Sequence, residues 1–228
     1  MKAQMFMVTG LLGLAVSWPF AIADASQVLS LLTQVRHVSA SATVTPEPPA
    51  PEETVSEAQE APAFETFDAS VGANLGAGGP PLATGTASQT STIVGKQVHA
   101  EGRAAASGGC STVPSACGIA AAVSEFSIRF LVREATMLHL LGRVESEAGA
   151  PPLRVAIDGP GVTLVTEGNG GNEDIDLEAL LTPGEYVLEA RAAAQSGEAG
   201  SFRFDATFDD ALVGVEGTTW SQLKQLFR

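Results

Sequence analysis

The sequence predicts an all-β fold, an antiparallel sandwich or jelly roll, and three observations lead there. Strand-like runs recur roughly every 8–15 residues between Gly, Pro, Asn and Asp turn signals. Within the runs, apolar and polar side chains alternate with the two-residue period of a half-buried strand. The connections are too short for the crossover helices that parallel strands require, which disfavours an α/β arrangement. The pattern places the sandwich at residues 63–210, after a leader at 1–25 and a short helix with a disordered linker at 26–62. A short amphipathic C-terminal helix at 211–228 follows it.

The first 25 residues have the order of a secretory signal: Lys2, an apolar run from Met5 to Val16, Pro19, then small residues at Ala21, Ala23 and Ala25. Cleavage would make the protein secreted, periplasmic or cell-surface, with no membrane contact afterwards. The rival is an uncleaved anchor, since Met5 to Ala23 almost spans a bilayer. Residues 26–37, SQVLSLLTQVRH, set Val28, Leu31, Leu32 and Val35 at helical spacing and predict a short helix. The following ATVTPEPPAPEETVSEAQEAP (42–62) is dense in Pro and Glu. It buries too little apolar surface to offset its ordering entropy, so it reads as a disordered linker.

FETFDASV (64–71) reads as the first strand and GANLGAGGPP as a glycine-rich loop. ASQTSTIVGKQVHAEGRAAA (87–106) holds one or two strands, and the cysteine loop GGCSTVPSACG follows. VSEFSIRFLV (123–132) puts Phe126, Ile128, Phe130 and Val132 on one side; MLHLLGRVE (137–145) places Leu138, Leu140, Gly142 and Val144 together. Leu153, Val155 and Ile157 point inward in the next run, and VTLVTEG (162–168) continues the meander. After the loop GNGGNEDID (168–176), LTPGEYVLEARA (181–192) turns at Pro183-Gly184 and sends Tyr186, Leu188, Ala190 and Ala192 inward. SFRFDATFDD (201–210) alternates most sharply, with Phe202, Phe204, Ala206 and Phe208 facing the core.

Charge narrows the partners. Twelve Lys and Arg stand against 26 Asp and Glu, a net charge of −14. Such a chain repels phosphate backbones, and the densest basic stretch is only Arg129, Arg133 and Arg143, so nucleic acid is excluded. An extracellular protein or polysaccharide fits better.

Two cysteines, Cys110 and Cys117, would form a disulfide after export. Closing so small a loop contributes roughly 2–2.5 kcal/mol on a chain-entropy estimate. The alternatives are free thiols, or a catalytic or metal role that the spacing disfavours.

The loop at 168–176 is the one candidate cofactor site. Asn169, Asn172, Glu173, Asp174 and Asp176 could supply several of the roughly six to eight oxygens that calcium takes, although a solvated turn uses the same residues. The only tight carboxylate clusters, Asp174/Asp176 and Asp209/Asp210, leave a carboxylate-based hydrolase as the catalytic alternative. His37, His99 and His139 each stand alone in the sequence, and no Gly-x-Ser-x-Gly elbow or Walker loop occurs. No catalytic residue is therefore assigned, and a non-enzymatic module is expected.

The succession EFSIRFLVREATMLHLLGRV, PPLRVAIDGPGVTLV, IDLEALLTPGEYVLEARA and SFRFDATF resembles bacterial pre-peptidase C-terminal domains over residues 124–208. The resemblance implies a jelly-roll accessory or structural module of a secreted protein, one that binds calcium or an extracellular polymer. A calcium-stabilised component of an envelope or matrix is the corresponding alternative. The tail TTWSQLKQLFR (218–228) places Trp220, Leu223, Leu226 and Phe227 on one helical face. It is similar to the Thr-Trp-Gly-x-x-Lys-x-x-Tyr/Phe-Arg endings of exported bacterial proteins, with Ser221 in place of the glycine.

Overall fold

The computed structural model describes residues 29–210 apart from 49, 63, 77–79, 113–114, 148–152 and 169. The expected signal peptide and C-terminal helix lie outside the described residues. Within them the chain is all β. In order the strands are β1 (Leu29–Pro46), β2 (Glu53–Glu60), β3 (Phe67–Leu75), β4 (Ala83–Val94), β5 (Gln97–Gly108), β6 (Cys110–Thr112) and β7 (Ser115–Val132). There follow β8 (Thr136–Ser146), β9 (Leu153–Gly159), β10 (Val162–Gly168), β11 (Asn172–Leu181), β12 (Gly184–Gln195) and β13 (Glu198–Asp210). They build two stacked antiparallel sheets. Sheet A has the order β10-β9-β12-β7-β1-β2, with β6 on the start of β7; sheet B has the order β11-β8-β13-β5-β4-β3.

The apolar faces meet in a core whose thickness changes along the strands. At one end it is filled by alanine: Ala40 and Ala42 of β1, Ala104 and Ala106 of β5, Ala120 and Ala122 of β7. At the other end aromatic rings fill it. Phe126 meets Phe204 edge-on at 5.4 Å, and Phe130 meets Phe208 edge-on at 5.1 Å. The inward sets expected on β7, β8, β9, β12 and β13 are buried as the alternation requires. Tyr186 stacks on Phe130, and its hydroxyl is 3.0 Å from the Thr182 carbonyl oxygen and 3.1 Å from that of Pro160, so its one proton is shared between the two. Gly159 makes room for it, since a β-carbon there would stand 2.2 Å from the ring.

Two expectations about the N-terminal region are corrected. Residues 26–37 do not form the short helix; from Leu29 the chain is β1, paired with β7 along nearly its whole length. A bulge between Leu31 and Thr33 inserts an extra residue, which shifts the apolar positions to 31, 32 and 35 and imitates helical spacing. Beyond it Val38, Ala40, Ala42 and Val44 alternate inward. Nor is 42–62 a disordered linker. It completes β1 and returns as β2, an edge strand whose residues are all exposed. The composition correctly implied side chains that bury little. The backbone nevertheless finds its hydrogen bonds on β1, while the prolines gather at the end of β1 and in the connection, where no ladder N–H is needed.

Smaller shifts follow the same logic. The first expected strand runs later, as β3, and 87–106 falls within two strands, β4 and β5, turned at Gly95 with φ 58°. The supposed loop at 168–176 is already strand β11 from Asn172.

Charged groups manage the edges and one point of the interior. The Glu57 carboxylate of β2 accepts a hydrogen bond from the Gly72 N–H of β3 at 3.1 Å, blunting a free sheet edge. Arg36 is buried between the sheets, 3.3 Å from Ser91 Oγ and 5.8 Å above the Phe67 ring. Loss of hydration pushes its pKa down from the ordinary guanidinium value.

Candidate functional site

The calcium candidates come first. Asn169 lies outside the described residues, and the other four sit on β11, an edge strand rather than a loop. Strand alternation separates them: Asn172, Asp174 and Asp176 share the outer face, while Glu173 shares the parity of buried Ile175. Asp174 lies opposite Arg143, whose Nε is 3.8 Å away and also meets Glu145 at 3.1 Å. Among the described residues, no group of three or more His, Cys, Asp or Glu is arranged to hold a metal ion.

Sheet register gives two histidines the partners that sequence spacing does not reveal. His99 Nδ1 is 2.7 Å from Asp205 Oδ1. His139 lies between acids from both flanking strands, Nδ1 at 3.1 Å from Glu178 and Nε2 at 3.7 Å from Asp209. The two imidazole nitrogens point apart, so these acids do not converge with the ring on one ion. His37 stands in register between Glu125 and Glu60.

Across the middle of sheet B one row reads Asp174, Arg143, Arg203, Glu101, a charge order of minus, plus, plus, minus. Asp174 and Asp176, the pair offered for hydrolysis, stand on this open face, where the Asp174 side chain is 82% exposed. Such exposed pairs contribute at most about 1 kcal/mol each. Outside that row the face is mainly acidic, with Asp176 and Asp205 on either side of the exposed Leu141.

Sheet A presents the opposite surface. Above the row Arg191, Glu125, His37, Glu60, three successive rows carry no charge. The first is Ala193, Val123, Ser39, Ala58; the second is Gln195, Ala121, Ser41, Ser56; the third is Ile119, Thr43, Thr54. Ile119 is 65% exposed there, beside a shallow depression of about 350 Å³ shared with Ser41, Thr43, Ala121 and Gln195 and bordered by one acid, Glu198, whose carboxylate accepts the Gln195 N–H at 2.8 Å. Its rim is fixed by Ser196, whose hydroxyl accepts the Ala120 N–H at 2.8 Å. The exposed large apolar side chains among the described residues are all aliphatic.

Sequence reasoning missed this patch because it is assembled mostly from β1, β2 and the start of β7, with the end of β12 beside them. Those stretches read as helix, linker and cysteine loop. The usable signal was the run of Ser, Thr and Ala alternating with Val and Ala in β1, which is a strand pattern without large residues. No protein-family model matches the chain, and no curated protein is similar to it.

Proposed function

We propose that the protein is a non-catalytic binding or accessory module, exported to the periplasm or cell surface, that docks another protein on the uncharged face of sheet A. The observation that carries this reading is Ile119, an aliphatic side chain left 65% exposed on three rows of small uncharged residues, with Glu198 the one acid at the depression beside it, on a chain of net charge −14. A flat surface of Ser, Ala and Thr loses little side-chain entropy and little hydration when covered. Carbohydrate recognition would call for exposed aromatic platforms, and the exposed large apolar groups among the described residues are aliphatic. The leader-like N-terminus, the disulfide and the resemblance to jelly-roll pre-peptidase C-terminal domains support export and an accessory role.

Photo-crosslinking in the producing cells tests this. A photoreactive residue at Ile119 or Thr43 is expected to give one discrete protein adduct, while the same residue at Thr92 on sheet B gives none. No adduct from either sheet A position, or equal adducts from both sheets, would refute the proposed face.

A further inference from the structure

Few polar side chains are buried among the described residues; besides Arg36, Ser91, Thr136 and Ser146 they are Gln89 and Ser124, which meet at one seam. Gln89 of β4 is 1% exposed, and neither its amide oxygen nor its amide nitrogen has a hydrogen-bond partner among the described residues. The hydroxyl of Ser124, buried on β7 of the opposite sheet, is in the same position. The two residues meet at Gly102. Gln89 is its register partner, and a β-carbon on Gly102 would stand 2.4 Å from Ser124 Oγ and as close to the ring of Phe202, which borders the seam on its apolar side.

Within sheet B the neighbours of the amide are short. Ala69 and Gly102 flank Gln89 on the adjacent strands, and Ala87 and Ser91 flank it along its own. None is longer than serine. The seam also lies where the core changes thickness, for Ser124 separates Ala122 from Phe126 along β7. Two sheets held close by alanine and apart by phenylalanine would open a narrow wedge at that point.

We propose that this wedge is an internal hydration site: ordered water hydrogen-bonds the Gln89 amide and the Ser124 hydroxyl and so links the two sheets across Gly102. A dry amide would carry a desolvation penalty larger than a typical hydrogen bond contributes, and native proteins satisfy such groups with protein or with ordered water. Water suits the set because an amide needs both a donor and an acceptor partner, and a hydroxyl can serve either way. An apolar ligand would leave the same atoms unsatisfied. A cation finds no carboxylate, since no acidic side chain is buried among the described residues.

Oxygen-17 magnetic relaxation dispersion of the full chain, compared with a Gln89→Leu variant, tests the proposal. The wild type is expected to show long-lived internal water, the variant to lose the equivalent of at least one molecule, and its Tm to fall by about 2–4 °C as the seam loses a partner. Unchanged dispersion together with a raised Tm would overturn it, because replacing a truly dry amide by an apolar side chain is stabilising. Where Gln89→Leu does not fold, Ser124→Ala removes a single oxygen. A reduced dispersion amplitude then supports the site, and an unchanged one refutes it.

Discussion

Gly85 of β4 faces the main chain of Ser41 on β1 in the opposite sheet so closely that a β-carbon on the glycine would lie 2.9 Å from the Ser41 carbonyl oxygen and 2.7 Å from that of Ala121. The alanine-lined end of the sandwich therefore approaches backbone-to-backbone contact. Large side chains there would part the sheets and loosen the face on which Ile119 stands.

Gly85→Ala is accordingly expected to destabilise by about 1–3 kcal/mol, the usual range for overpacking, since rigid backbone and not a movable side chain receives the new carbon. Gly72→Ala on β3 is the control. The nearest atoms to its added carbon are 3.9 Å away, an ordinary contact, so its effect should stay within about 0.5 kcal/mol. Urea unfolding of both variants checks the contrast. Equal effects would mean that the close approach at Gly85 is not a constraint.

Phe204 is fully buried on β13 and meets Phe126 of the other sheet edge-on at 5.4 Å, with Phe202 at 6.4 Å. Phe204→Ala is expected to cost about 3–5 kcal/mol, because the surrounding rings belong to two sheets and cannot collapse into the cavity together. A loss below about 1 kcal/mol in equilibrium unfolding would contradict its position in the core.

The thick end of the core was legible because its side chains are large. Phe202, Phe204 and Phe208 against Arg203, Asp205 and Thr207 leave one possible period, and Tyr186 with Leu188 repeats it on the facing strand. The thin end was not. In β1 the inward residues Ala40 and Ala42 differ from the outward Ser39 and Ser41 by a single hydroxyl, so hydropathy contrast almost vanishes. The bulge at Leu31–Thr33 then adds a false helical spacing. In β2 the side chains carry no burial signal, because the strand is held chiefly by backbone pairing with β1 and by polar contacts such as Glu57 with the Gly72 N–H. The same lack of contrast hid the uncharged face, a feature of register between distant strands. The partners of His99 and His139 were hidden for that reason too, as was the splitting of Asn172, Glu173, Asp174 and Asp176 between two sides of β11.

The disulfide offers the last test, and it separates local from global stability. Cys110 and Cys117 face each other directly in the β6–β7 pairing, with α-carbons 4.1 Å apart, at the far end of a strand whose remainder pairs with β1 and β12. Both cysteines are exposed, so a reductant reaches the bond without unfolding the domain. Reduction should cost about 2–2.5 kcal/mol by freeing the small loop in the unfolded chain. The long β1–β7 and β7–β12 ladders should hold the sandwich together afterwards. Hydrogen exchange should quicken at β6 and at the first residues of β7, while the amides of Phe126 to Val132 keep their protection. Cys110→Ser with Cys117→Ser should behave like the reduced protein. Exchange that quickened equally along all of β7 would show instead that the disulfide supports the whole fold.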